Sequence, residues 1–128
     1  RTEQRHRDPL LAHVIVHGYV EDNAPFMDGC RVSVAPLRYG AGVKGKVNMA
    51  MSYGLPVVAT PIAVEGMHVE AGRDVLVSDG AALFAQATVQ AYEDEALWNA
   101  LSQRGIENVR RHFSFDAARA ALREVLDL

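Results

Sequence analysis

Eleven consecutive residues carry the strongest chemical signal in the chain: Pro36-Leu37-Arg38-Tyr39-Gly40-Ala41-Gly42-Val43-Lys44-Gly45-Lys46. They hold three glycines, two lysines and one arginine. Glycine lets the backbone take positive φ and lets a ligand approach it closely. If a helix begins where such a loop ends, its first N–H groups lack intrahelical acceptors and carry partial positive charge. Lysines beside that turn add full charge. Together these parts suit phosphate or diphosphate. The same residues also fit a plain tight connection between a strand and a helix, so composition alone leaves both uses open.

The turn is not a P-loop, because Gly45-Lys46 is followed by Val47 and not by Ser or Thr. Gly40, Gly42 and Gly45 do spell G-x-G-x-x-G. About twenty residues on, however, stand Thr60 and Pro61, where a dinucleotide site needs an acidic residue.

The elements that would position this turn are legible around it. Four short apolar runs stand out: Val14-Ile15-Val16, Val32-Ser33-Val34-Ala35, Val57-Val58-Ala59 and Val75-Leu76-Val77. Valine-rich runs bounded by Gly, Pro or Asp read as strands buried on both faces of a parallel sheet. Between them, Ala24–Asp28 suits one or two helical turns, and Lys46–Tyr53 suits a helix that stops at Gly54. After the fourth run come helices over Ala81–Tyr92 and Glu95–Arg104, with Asp79 as a candidate N-cap. A last helix opens at Ser114, and Ala117, Ala118, Ala121, Leu122 and Val125 predict one buried face. Strand and helix alternate, so the fold class is α/β: a Rossmann-like parallel sheet with helices on both faces and further helices after the last strand. Such sheets bind ligands beyond the carboxyl ends of their strands. That places the Gly18–Asn23, Pro36–Gly45 and Thr60–Met67 loops on one side.

Size and composition bound the rest. The 128 residues suffice for one compact domain, and 49% apolar residues can build its core. The net charge of −3 argues against a nucleic-acid surface, which shows a basic stripe. No apolar stretch approaches the ~20 residues of a membrane span. Cys30 is the sole cysteine, which excludes an internal disulfide, and between Gly29 and Arg31 it reads as a small buried hydrophobe. A reducing, cytoplasmic compartment fits. Residues 1–12 read as a truncated or flexible lead-in, as if cut from something longer, and residues 13–128 as one domain. His17, His68 and His112 share no metal-ligand spacing, so structural roles are expected and metal binding is not.

The wider stretch resembles a known family. Ala35 to Val47, then Ala50-Met51-Ser52-Tyr53-Gly54-Leu55-Pro56-Val57-Val58-Ala59-Thr60, then Glu65-Gly66-Met67, is similar to the donor-binding region of glycosyltransferase family 4 and its neighbours. In that group a strand ends in Pro, a Gly-x-Gly loop opens a helix, and the helix ends at Gly-x-Pro-Val-Val. Gly72-Arg73-Asp74-Val75-Leu76-Val77 and Arg110-Arg111-His112-Phe113-Ser114-Phe115 resemble its later elements. The resemblance implies half of a GT-B fold. This half binds a nucleotide-diphosphate sugar, and an N-terminal domain of the same polypeptide binds the acceptor. It also implies retention of anomeric configuration and no metal or other cofactor. It further implies that the strand, Gly-rich loop and helix opening this domain precede Arg1. The isolated chain is then expected to transfer no sugar. The location implied is cytoplasmic, with peripheral membrane attachment of a full-length enzyme left open.

Donor contacts are expected at named positions. Gly18 and Tyr19 lie where the family places the nucleobase. Gly40, Ala41, Gly42, Val43, Lys44 and Lys46 surround the diphosphate. Tyr39 and Met49 stand where the family often carries two glutamates, so carboxylate contacts to donor sugar and ribose are not carried over. Met49 could line the ribose site as an apolar substitute. Asn48 reaches ribose or phosphate oxygens. Glu65 either bonds a donor hydroxyl or caps a turn. Val47, Ala50 and Met51 are expected in the core, and Trp98 is expected to pack. No catalytic residue is assigned. The alternatives are a non-catalytic nucleotide-binding or interaction module of the same fold, and another GT-B activity such as a sugar-nucleotide epimerase.

Overall fold

The computed structural model describes residues 12–40, 45–112 and 115–126, with the backbone alone at 115–117. The elements run α1 (Ala24–Gly29), β1 (Ser33–Ala35), α2 (Gly45–Ser52), β2 (Val57–Ala59) and a 3-10 turn (Pro61–Val64). Then come β3 (Leu76–Val77), α3 (Ala81–Glu93), α4 (Glu95–His112) and α5 (Phe115–Leu126). The strands make one parallel sheet in the order β1-β2-β3. Val34 pairs with Val58, and Val58 with Leu76.

β2 is the centre. All three of its residues are buried, because each face of the strand meets a different helix layer. Val57 and Ala59 join Val47, Ala50 and Met51 of α2 on one face. Val58 joins Ala91 of α3 and Leu101 of α4 on the other, with Leu76 and Phe84 against them. Alternate side chains of a strand point to opposite faces, so one apolar run serves two cores. The α/β expectation, with helices on both faces, holds. So does the assignment of Val47, Ala50 and Met51 to the core, at 2%, 0% and 0% exposure.

α2 ends as expected at Gly54. The Leu55 N–H donates to Ala50 O at 3.0 Å and the Gly54 N–H to Met51 O at 2.9 Å, a Schellman closure. It requires the left-handed φ of 76° that Gly54 takes. α4 begins under Asp94, whose carboxylate accepts the Leu97 N–H at 3.0 Å. It runs on to His112, with Arg110, Arg111 and His112 in its last turn, where cations suit the dipole. Gly105 lets α4 lie close to Met51, since a Cβ there would stand 3.4 Å from the Met51 side chain.

Four expectations need correction. Val14–Val16 forms no strand, and Val14 and Ile15 are 49% and 73% exposed. A strand requires a ladder, and the sheet of described residues starts at β1. Asp79 does not cap α3. Gly80 is the N-cap, with φ of 87° and no side-chain bond, which leaves Asp79 one residue too early. The apolar face of α5 is not buried: Leu122 and Val125 are 58% and 81% exposed. α5 touches α4, and that contact leaves the stripe exposed among the described residues. Cys30 is exposed, because the chain between α1 and β1 runs outside the sheet.

That segment is tied down by Arg31 instead. Its Nε donates to Tyr92 O at 2.6 Å, and its carbonyl accepts from Trp98 Nε1 at 2.8 Å. The guanidinium lies 5.2 Å from the Tyr92 ring centroid and 5.5 Å from that of Trp98. Trp98 therefore packs, as expected, and also anchors the start of β1 to the α3–α4 junction.

Two outcomes follow for stability. Gly54→Ala forces a side chain into positive φ and to 3.1 Å from Ser102 Oγ and 3.2 Å from Ile106 Cδ1. Urea unfolding is expected to show a loss of about 2 kcal/mol. Arg31→Ala removes one bond and two ring contacts at an exposed site, and a smaller loss, about 1 kcal/mol, is expected in the same measurement.

Candidate functional site

The carboxyl ends of the strands lie together, as a parallel sheet dictates. Two bonds join the segments that leave β1 and β2. The Thr60 N–H donates to Ala35 O at 3.2 Å, and its hydroxyl donates to Leu37 O at 2.7 Å. One strand further along, the Ser78 N–H donates to Ala59 O at 2.9 Å. Thr60 thus fixes where the chain leaves β1. Its signal in the sequence is modest: it is the first polar residue after Val57-Val58-Ala59.

A cleft of about 770 Å³ opens at these ends. Pro36, Leu37 and Arg38 form one wall, Thr60 and Ile62 another, and Asp79, Gly80 and Phe84 a third. The surface is largely apolar, with Arg38, Thr60 and Asp79 as its polar side chains. The first turn of α3 enters here with no acidic residue and no side-chain cap.

A second hollow, of about 500 Å³, follows β1 to its end and reaches the first turn of α2. Ser33 to Leu37 line one side, and Gly45, Lys46 and Val47 the other. The two cavities share Pro36 and Leu37. Of the turn's cations among the described residues, Arg38 lines the larger cleft and Lys46 the hollow beside α2.

The expected donor residues fall as follows. Ala41, Gly42, Val43 and Lys44 lie outside the described residues. Gly40 takes φ of 137°, a conformation that favours glycine. Tyr39 is 84% exposed and projects from the loop. Lys46 is exposed on the first turn of α2. Met49 is off the buried face of α2, as expected, at 37% exposure. Its sulfur lies 3.7 Å from the amide nitrogen of Asn23, which joins the first loop to α2. The Oδ1 of Asn48 is shielded from solvent and has no hydrogen-bond donor among the described residues. Gly18 takes φ of 70° and Tyr19 is 91% exposed. Glu65 is exposed and ends the 3-10 turn, where its backbone N–H meets Ile62 O at 3.4 Å. Tyr19 and Glu65 line neither cavity.

The histidines have structural neighbours. His17 meets Phe26 edge-on with centroids 4.6 Å apart, and His68 stacks on His112 at 4.7 Å. Among the described residues no group of three His, Cys, Asp or Glu is placed to hold a metal ion. Among them, too, no helix is long and apolar enough to cross a membrane. Sequence reasoning missed Asn23 as the partner of Met49, and the Asp79-Gly80 turn as a wall of the larger cleft. Neither contact has a local signature, since 26 residues separate Asn23 from Met49.

No curated protein matches the chain. Residues 1–94 match the family of glycosyl transferases group 1, a stretch that takes in every strand and the eleven-residue turn. The chain therefore belongs to the group 1 glycosyltransferases, and its parallel sheet between helix layers is that of a GT-B glycosyltransferase-like domain.

Proposed function

We propose that the chain is the donor-binding half of a retaining glycosyltransferase, and that it holds a nucleotide-diphosphate sugar at the carboxyl edge of its sheet. The observation that carries this is the 500 Å³ hollow framed by Pro36 and Leu37 on one side and Gly45 and Lys46 on the other. An opening exists where the glycine-rich turn returns to the helix, and a cation stands at its rim.

In this arrangement the diphosphate sits against the turn. Lys46, with Lys44, supplies positive charge, and the turn supplies backbone N–H donors. Sugar transfer requires that the departing diphosphate be stabilised as its charge develops, and such groups do that without a metal. Tyr39 replaces a carboxylate beside the turn and offers a hydroxyl that both donates and accepts. Met49 offers only a thioether, so hydroxyl recognition at the ribose falls to Asn48. Its unused Oδ1 accepts a ribose hydroxyl once the side chain rotates outward. Gly18 and Tyr19 receive the base, and Glu65 the donor sugar, when the facing domain closes the cleft. The acceptor binds to that N-terminal domain of the same polypeptide, in the cytoplasm.

Calorimetric titration of the chain with UDP, GDP and ADP tests the binding. One of them is expected to bind with a Kd in the millimolar range or below, about −4 kcal/mol or better. Lys46→Ala is expected to weaken that binding about threefold with an unchanged unfolding midpoint, since the side chain is exposed. Equal affinities for both proteins would remove Lys46 from the site. Turnover of the chain with a panel of sugar nucleotides is expected to be undetectable, because the acceptor surface is elsewhere. Released nucleoside diphosphate in the presence of an acceptor would contradict that.

A further inference from the structure

A polar hollow lies apart from the two cavities at the carboxyl ends of the strands. It measures about 260 Å³ and shares no lining residue with them. Glu70, Arg73 and Asp74 form one wall, and Arg104, Asn108 and Arg111 of α4 form the other. Asp74 stands two residues before β3, so the hollow lies by the amino end of that strand. Residues 104, 108 and 111 recur at spacings of four and three, which puts them on one face of α4.

The carboxylates around this hollow are committed, and one of its cations is not. Asp74 Oδ2 accepts the Glu70 N–H at 2.9 Å. Glu70 pairs with Arg73 at 3.6 Å, and Glu107 with Arg111 at 3.1 Å. Both pairs are largely exposed, and ion pairs in water hold together weakly. Either arginine can therefore turn to an anion inside the hollow. Arg104 makes no ion pair or hydrogen bond among the described residues. Asn108 is the buried member, at 8% exposure. Its Nδ2 donates to the His68 carbonyl, which fixes the way the amide faces. Its Oδ1 is shielded from solvent and meets no donor among the described residues. A buried acceptor without a donor has lost its water and gained nothing in exchange. A ligand that brings an O–H to it recovers that loss.

We propose that this hollow binds a small phosphorylated polyol. The phosphate lies between Arg104 and Arg111, whose planar guanidinium forks match phosphate oxygens. A hydroxyl of the carbon chain donates to Asn108 Oδ1 as the wall around that atom opens. The hollow is smaller than the ~300 Å³ at which pockets for drug-sized ligands begin, so the chain has only a few carbon atoms. Among the described residues no three His, Cys, Asp or Glu converge on a cation, which favours a hydroxyl over a metal ion as the partner of Oδ1. The inference does not rest on the donor site, which lies at the carboxyl ends of the strands.

Titration of the isotope-labelled chain with glycerol 3-phosphate, followed by backbone amide shifts, tests this. Saturable shifts are expected at Glu70 to Asp74 and at Arg104 to Arg111, with Gly45 and Lys46 silent and a Kd in the millimolar range. Glycerol is expected to give no saturable shift, and inorganic phosphate to bind at least about fivefold more weakly, since it brings no carbon-borne hydroxyl to Oδ1. Arg104→Gln is expected to weaken glycerol 3-phosphate binding about tenfold. Its unfolding midpoint is expected to stay unchanged, because Arg104 is exposed. Asn108→Ala is expected to erase the preference for glycerol 3-phosphate over inorganic phosphate. Should that variant fail to fold, Arg104→Gln and the ligand series still decide. Absence of saturable shifts overturns the proposal, as do shifts confined to Gly45 and Lys46. So does equal binding of inorganic phosphate, or an unchanged affinity in Arg104→Gln. Nucleotide binding enters none of these outcomes, so failure of the donor site leaves them unaffected.

Discussion

Burial of β2 on both faces is the constraint on which the structure turns. A parallel strand with no solvent side must find apolar partners above and below and hydrogen-bond partners left and right. Val57 and Ala59 bind α2 from one side, and Val58 binds α3 and α4 from the other. Once those packings are satisfied, the three strand ends lie in one row. Thr60 then sets the exit of β1 through its bonds to Ala35 and Leu37. The position of the candidate site is thus a consequence of core packing, and the chemistry is added by loops that the core does not need.

That division explains which features the sequence disclosed. Val57-Val58-Ala59 reads as a buried strand because the run itself carries the signal, and Gly54 reads as a helix stop because left-handed φ demands glycine. Features that depend on a partner elsewhere were misread. Val14–Val16 has the composition of a strand but joins no ladder among the described residues. The periodicity of α5 states that one face is apolar, not what covers it, and Val125 is left 81% exposed. Asp79 has the right residue type for a cap, yet Gly80 takes that place through its positive φ.

The candidate site divides in the same way between local signals and distant pairs. Gly40 and Lys46 raise the expectation of an anion-binding turn through type and spacing, and a cavity lies beside Gly45 and Lys46. Other features around the site depend on residues far apart in sequence. Asn23 meets Met49, and Arg38 comes to line the same cleft as the Asp79-Gly80 turn, only when the chain folds. In the proposed function, Tyr39 and Met49 stand where the family often carries carboxylates, so hydroxyl recognition is assigned there to neutral groups and diphosphate binding to positive charge and backbone donors.

The central claim is that the turn from Pro36 to Lys46 grips a diphosphate. Titration of an isotope-labelled chain with the tightest-binding nucleoside diphosphate, followed by backbone amide shifts, tests it most directly. The account expects the largest and saturable changes at Gly40, Ala41, Gly42, Val43, Lys44, Gly45 and Lys46. Changes confined to the larger cleft around Asp79 and Gly80, with the glycine-rich turn silent, would contradict it.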